Sequence, residues 1–179
     1  LDYAVEAAAW GKFLHQGQIC MIANRLVVED AIYEDFVERF AAKVRTLGAG
    51  DPARSSTFIG PIINDSQLES IRKTIEAARA DGLREVVGGD AEGRVLPPHV
   101  FADVPEDHRE LAQSEIFGPV APIIRARDEA DALRIANATD RGLSAAVFTR
   151  DVERGVRFAE QIESGMAHVN DQPVNDLPF

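Results

Sequence analysis

The sequence predicts an α/β domain, a largely parallel, twisted sheet flanked by helices. Three observations carry this. Helical apolar repeats alternate with short β-branched runs along most of the 179 residues. The helical stretches have capping and stop signals where the strands begin. Apolar residues make up 45 % and charged residues 27 %, ordinary for a globular chain long enough to bury a sizeable core.

Residues 1–15 place Leu1, Val5, Ala8, Ala9 and Phe13 at helical spacing, before a loop that carries Cys20. The run "RLVV" (25–28) reads as a buried strand. Residues 30–47 form an amphipathic helix, with Ile32, Phe36, Phe40 and Val44 on one face, acids early and Lys43 and Arg45 late. "GAGDP" stops it. Residues 66–82 repeat the pattern with Leu68, Ile71, Ile75 and Ala78, closed by Gly82. "REVVGG" is a short strand and turn, and residues 90–119 read as loop-rich around Pro97, Pro98 and Pro105. "PVAPIIRA" is a strand whose prolines suggest an edge or a bend. A helix over "DEADALRIANATDRG", a strand "SAAVFT", a helix "DVERGVRFAEQIESG" and a strand "MAHVN" complete the alternation. There is no internal repeat and no low-complexity linker.

The net charge of −11 argues against nucleic acid and against docking on an anionic membrane. No apolar run approaches the ~20 residues of a membrane helix. One cysteine makes neither an internal disulfide nor a Cys-rich zinc site, and points to a reducing, cytoplasmic compartment. The chain opens in mid-helix without Met and stops at "NDLPF", so a longer parent is expected.

The segment "GAGDPA" (48–53) matches G-x-G-x-x-A but follows a helix and contains Pro52, so it reads as a helix stop rather than a phosphate loop. His15, His99, His108 and His168 have no metal-ligand spacing. Cys20 is the remaining candidate. A lone cysteine is often a small buried apolar residue. Here Gly17 permits a tight turn just before it, and the position between helix and strand can expose and tune a thiol.

"FLHQGQIC" resembles the nucleophile segment of the aldehyde dehydrogenase superfamily, and "SEIFGPV" (114–120) resembles its Glu-x-Phe-Gly-Pro segment. "FIGPIIN", "GLSAAVFT" and "SGMAHVN" fall in the family's order across nearly the whole chain. The resemblance implies the catalytic domain, residues 1–179, of an NAD- or NADP-dependent aldehyde dehydrogenase. Cys20 is then the nucleophile, forming a thiohemiacetal and then a thioester. Glu115 holds the nicotinamide ribose, Phe117 packs near the nicotinamide, and Gln67 reaches the cofactor. Ile19, Met21 and Phe179 line the aldehyde funnel. Ile22 departs from the family's small residue, and Ser70 from its lysine. The loop "NDQPVNDLPF" is similar to members acting on aromatic aldehydes such as vanillin and benzaldehyde. The same resemblance implies a homo-oligomer, and it puts the Rossmann cofactor domain, the general-base glutamate, the oxyanion asparagine and the oligomerisation arm outside residues 1–179. Two other readings stand beside it. One is a cysteine acyl-transfer enzyme or hydrolase, which needs a histidine within reach of Cys20. The other is a non-catalytic domain, which needs a buried Cys20.

Overall fold

The computed structural model describes residues 1–174. Helix α1 (Asp2–Phe13) leads through the cysteine loop into β1 (Leu26–Glu29). Helices α2 (Tyr33–Val44) and α3 (Asp65–Ala80) follow, then strands β2 (Arg84–Val87), β3 (His99–Ala102) and β4 (Val120–Ala126). Helix α4 (Glu129–Asn137), β5 (Ser144–Val147), α5 (Val152–Ala159) and β6 (Met166–Val169) come last.

The strands make two sheets where the sequence suggests one. The larger has the order β1-β4-β3-β2, and the smaller pairs β5 with β6. β1, β4 and β3 run parallel, as do β5 and β6, while β2 is antiparallel to β3. The larger sheet is the middle of three layers, and its period-2 alternation shows why. On one face Leu26, Val28, Val100, Ala102, Ala121 and Ile123 pack against α1 and α2. On the other, Phe101, Val120, Ile124 and Ala126 pack against α3 and α4. Asn64, Asp128 and Asp151 cap α3, α4 and α5 by accepting Gln67, Asp131 and Arg154 backbone N–H groups at 2.8, 2.8 and 3.0 Å.

Two expectations are corrected. β4 is an interior strand despite Pro122. Its rungs to β3 end at Pro122 and its rungs to β1 begin at Ile123, so the missing N–H falls where the strand changes partner. Ile32 is 45 % exposed, because a 3₁₀ turn over Asp30–Ile32 precedes α2 and rotates it off the face that Tyr33, Phe36 and Val37 bury. The loop-rich stretch 90–119 also contains regular elements that the sequence reading did not place. It holds β3, and a π-helical turn (Arg109–Gln113) whose Leu111 N–H is accepted by His108 Nδ1 at 3.2 Å.

One residue opposes the fold. Lys12 lies on the buried face of α1 with no exposed surface, and its Nζ has no hydrogen-bond partner among the described residues. Burial lowers its pKa to about 7. Above pH 7 the unfolded chain keeps a proton on this amine that the folded chain releases, so stability rises from pH 7 towards 10.5 and gains nothing below 7. Lys12→Met should stabilise the chain at pH 7 by roughly 1–4 kcal/mol and flatten that slope, read by urea unfolding across the window. An unchanged slope would mean that Lys12 finds an acceptor.

Candidate active site

β1 and β4 are adjacent and parallel, so the loops that precede them emerge at the same, amino-terminal end of the sheet. The loop before β1 carries Cys20 and the loop before β4 carries Glu115 and Phe117. Position alone brings together two segments almost a hundred residues apart.

The cysteine loop is shaped by its first residues. After α1 the chain takes a left-handed turn, with φ of 49°, 60° and 70° at His15, Gln16 and Gly17. Gly17 admits no side chain, since a Cβ there would lie 2.3 Å from the Gly118 carbonyl oxygen. The loop is then pinned along its length. Gln18 Oε1 accepts Ile63 N–H at 3.0 Å, and Ala23 N–H donates to the Gly11 carbonyl at 3.0 Å. Arg25 donates to the carbonyls of Ile135 and Ala136 at 2.9 and 2.7 Å, fastening the start of β1 to the end of α4. Between these ties Cys20 is exposed, Ile19 and Met21 are half-buried, and Ile22 is buried. A bare, anchored loop of this kind presents a thiol rather than packing it.

In the second segment Glu115 is exposed, Ile116 buried and Phe117 half-buried, so acid and ring share a side of the chain while Ile116 enters the core. Its backbone is held at two successive residues. Ile116 N–H donates to Asn24 Oδ1 at 3.2 Å, and Gln67 Nε2 donates to the Phe117 carbonyl at 3.0 Å. Gln67 therefore touches the predicted cofactor segment itself. Gly118 is wedged under α3, where a Cβ would meet Ile71 Cδ1 at 2.5 Å.

A third loop, between α4 and β5, closes on the same end. Arg141 Nη1 lies 3.7 Å from Glu115 Oε2, beyond hydrogen-bond range, and Ser144 Oγ donates to the Met21 carbonyl at 3.4 Å. Sequence reasoning missed Asn24, Arg141 and Ser144, since a polar residue in a loop has no signal until its partner is known. Phe179 lies outside the described residues. Among the described residues no histidine is hydrogen-bonded to Cys20, and His99 and His108 are engaged with Glu85 and Asp81 at 2.7 and 3.2 Å. The hydrolase reading thereby loses the observation it needs.

The carboxyl-terminal end of the sheet, where open α/β sheets commonly bind ligands, is occupied differently. A cavity of about 300 Å³ there is bordered by Asp103, Glu106, Arg125 and Asp131, all ion-paired. Arg125 lies 3.8 Å over the Tyr33 ring, and burial pushes that phenol up to about 12. Hydrogen bonds from Arg127, with help from Arg134, hold the Asp131 carboxyl well below the usual carboxylate range.

The class is thus an α/β domain that presents an exposed thiol, a carboxylate and an aromatic ring from loops at the amino end of its sheet. The chain belongs to the aldehyde dehydrogenase family, whose family model matches residues 1–179. It is 50 % identical over 178 residues to a vanillin dehydrogenase of Corynebacterium glutamicum, covering 99 % of this chain and 37 % of that protein. An NAD-dependent benzaldehyde dehydrogenase structure from the same species superposes with a TM-score of 0.90 at 48 % identity, over 97 % of this chain and 38 % of that one. A salicylaldehyde dehydrogenase structure from Pseudomonas putida G7, complexed with salicylaldehyde, superposes at 0.92 with 41 % identity, over 98 % and 36 %. The chain spans little more than a third of the length of these relatives.

Two outcomes follow from the site's geometry. Gly17→Ala should destabilise the chain by about 2 kcal/mol or more, through left-handed strain plus the Gly118 contact, measured by urea unfolding. The folded chain should titrate its single thiol with a disulfide reagent in the absence of denaturant. A thiol that reacts only on unfolding would support the non-catalytic reading.

Proposed function

We propose that residues 1–179 are the catalytic domain of a cytoplasmic, homo-oligomeric NAD(P)+-dependent aldehyde dehydrogenase that oxidises an aromatic aldehyde to its carboxylic acid. The observation that carries this is the convergence of Cys20 and the Glu115–Phe117 segment at one end of the sheet, joined by the Gly17–Gly118 contact and the Asn24–Ile116 hydrogen bond. The named substrates of the relatives, vanillin, benzaldehyde and salicylaldehyde, support the aromatic class. No helix among the described residues is long and apolar enough to cross a membrane.

Cys20, as thiolate, attacks the aldehyde carbonyl carbon. The carbonyl becomes a tetrahedral oxyanion, to which the Cys20 backbone N–H, uncommitted among the described residues, can donate. The carbon–hydrogen bond of that adduct then breaks with both electrons leaving on hydrogen, and the carbon becomes a thioester. Water cleaves the thioester, returning the thiol and releasing the acid. A bound nicotinamide supplies the hydride acceptor. The chain's residues fit such a cofactor, because Glu115 offers an exposed carboxylate able to accept from two ribose hydroxyls, and Phe117 a partly exposed ring beside it. Ile19 and Met21 flank the nucleophile and line the aldehyde's approach. Gln67 reaches the cofactor site through the Phe117 backbone. The cofactor domain and the base for deacylation belong to the parent protein outside these residues. Leu143, just before β5, and Val152 and Val156 on α5 are exposed, which supports burial against that remainder or a second subunit.

In the parent enzyme Cys20→Ala should abolish aldehyde-dependent NAD(P)H production while cofactor binding survives. Glu115→Gln should lower kcat by ~10–100-fold by misplacing the ribose. Residues 1–179 alone should show no steady turnover, since loss of a general base costs ~100–10,000-fold. Absorbance at the reduced-nicotinamide band with benzaldehyde and each cofactor reads all three. Turnover by Cys20→Ala would refute the covalent route.

A further inference from the structure

The Glu115–Phe117 segment lies in neither helix nor strand, so its placement depends on what grips its backbone. Ile116 is 3 % exposed, so its N–H leaves the core with little access to water, and Asn24 Oδ1 receives it at 3.2 Å. Asn24 is itself on a stiff mount. It lies four residues beyond Cys20 in the same loop, its neighbour Arg25 is bonded to the end of α4, and β1 begins at Leu26. The bond spans 92 positions of sequence and links the nucleophile's loop directly to the segment bearing Glu115 and Phe117. An asparagine suits the task. Its oxygen accepts without adding charge, and its reach matches the gap between two loops that already touch at Gly17 and Gly118.

We propose that Asn24 is a positioning residue for hydride transfer, its side-chain oxygen setting the Glu115–Phe117 segment against Cys20. This rests on the reading that Glu115 and Phe117 meet the cofactor. Asn24 touches no reacting atom. Addition of the thiolate to the aldehyde involves Cys20 and its loop and not the Glu115–Phe117 segment. The next step, in which the carbon–hydrogen bond of the adduct breaks and hydride passes to the nicotinamide, needs the ribose and ring held in register with that carbon. Losing the Asn24 oxygen therefore slows the second step and spares the first.

The test uses the full-length parent enzyme with benzaldehyde and with benzaldehyde deuterated at the carbonyl carbon. Asn24→Leu keeps the volume and removes the acceptor. It should lower kcat by ~10–100-fold with a smaller change in the benzaldehyde KM, and should raise the deuterium isotope effect on kcat. The second-order rate of Cys20 alkylation by iodoacetamide should stay within about twofold of wild type. Asn24→Asp, which still accepts from the Ile116 N–H, should recover most of the rate. If Asn24→Leu does not fold, Asn24→Ser, whose hydroxyl is too short to span the gap, takes its place. Wild-type kcat without a raised isotope effect in the acceptor-less variant overturns the proposal. So does equal loss in Asn24→Leu and Asn24→Asp, or a parallel fall in alkylation, either of which marks collapse of the loop. A wild-type parent that produces no NAD(P)H from benzaldehyde or any other aldehyde overturns the underlying function instead, and the positioning role with it.

Discussion

Two glycines in contact hold this site together. Gly17, turning at φ 70°, and Gly118 bring their backbones so close that a Cβ on Gly17 would lie 2.3 Å from a carbonyl oxygen. Gly118 is pressed from its other side by Ile71 of α3. The constraint is steric. No attraction needs to be invoked, because both chain segments enter neighbouring parallel strands and the core on either face fixes those strands. With the strands fixed, the loops before them cross at short range, and at that crossing Gly17 has no room for a side chain. The cysteine loop continues from that crossing, and Cys20 lies exposed three residues beyond Gly17.

The two ends of the sheet are built on different physics. At the amino end the ties run from side chains to backbone, through Gln18, Asn24, Arg25, Gln67 and Ser144, and they leave a thiol, a carboxylate and a ring uncovered. At the carboxyl end the charges close on one another. Arg125 reaches Asp30 and Asp103 at 2.7 and 3.0 Å and also meets Glu34, while Arg84 joins Glu34 and Asp103. Exposed pairs of this sort each contribute little to stability, but a shared network orders the side chains it joins. The amino end thereby leaves a thiol and a carboxylate exposed, while the charges of the carboxyl end neutralise one another.

The smaller sheet shows what a partial burial looks like. β5 and β6 are nowhere fully buried, and Gly155 is the one buried residue of α5. The unit is fastened to the main body through α1, where the Tyr3 hydroxyl donates to the Asn170 carbonyl at 3.0 Å and Gly11 lies close against Pro173. The same helix carries Lys12 into the core, so α1 both joins the two sheets and bears a buried amine without a partner among the described residues.

The sequence by itself determined the α/β class, most of the elements and their apolar faces, because periodicity is a local property and burial follows it. It also identified Cys20, Glu115 and Phe117 as candidates, since their motifs are contiguous. It misjudged Pro122, because the rung a proline forfeits depends on which neighbour pairs there. It left the strand order and the separate β5–β6 pair undetermined, because strand order is a non-local choice. Asn24 and Arg141 were illegible for the same reason. Their partners lie far along the chain and meet them only when parallel strands align their loops. What the tertiary structure decided is therefore the site as a site. Short-range pattern chooses the residues, but only packing of the whole core brings two loops to a distance at which one hydrogen bond can join them.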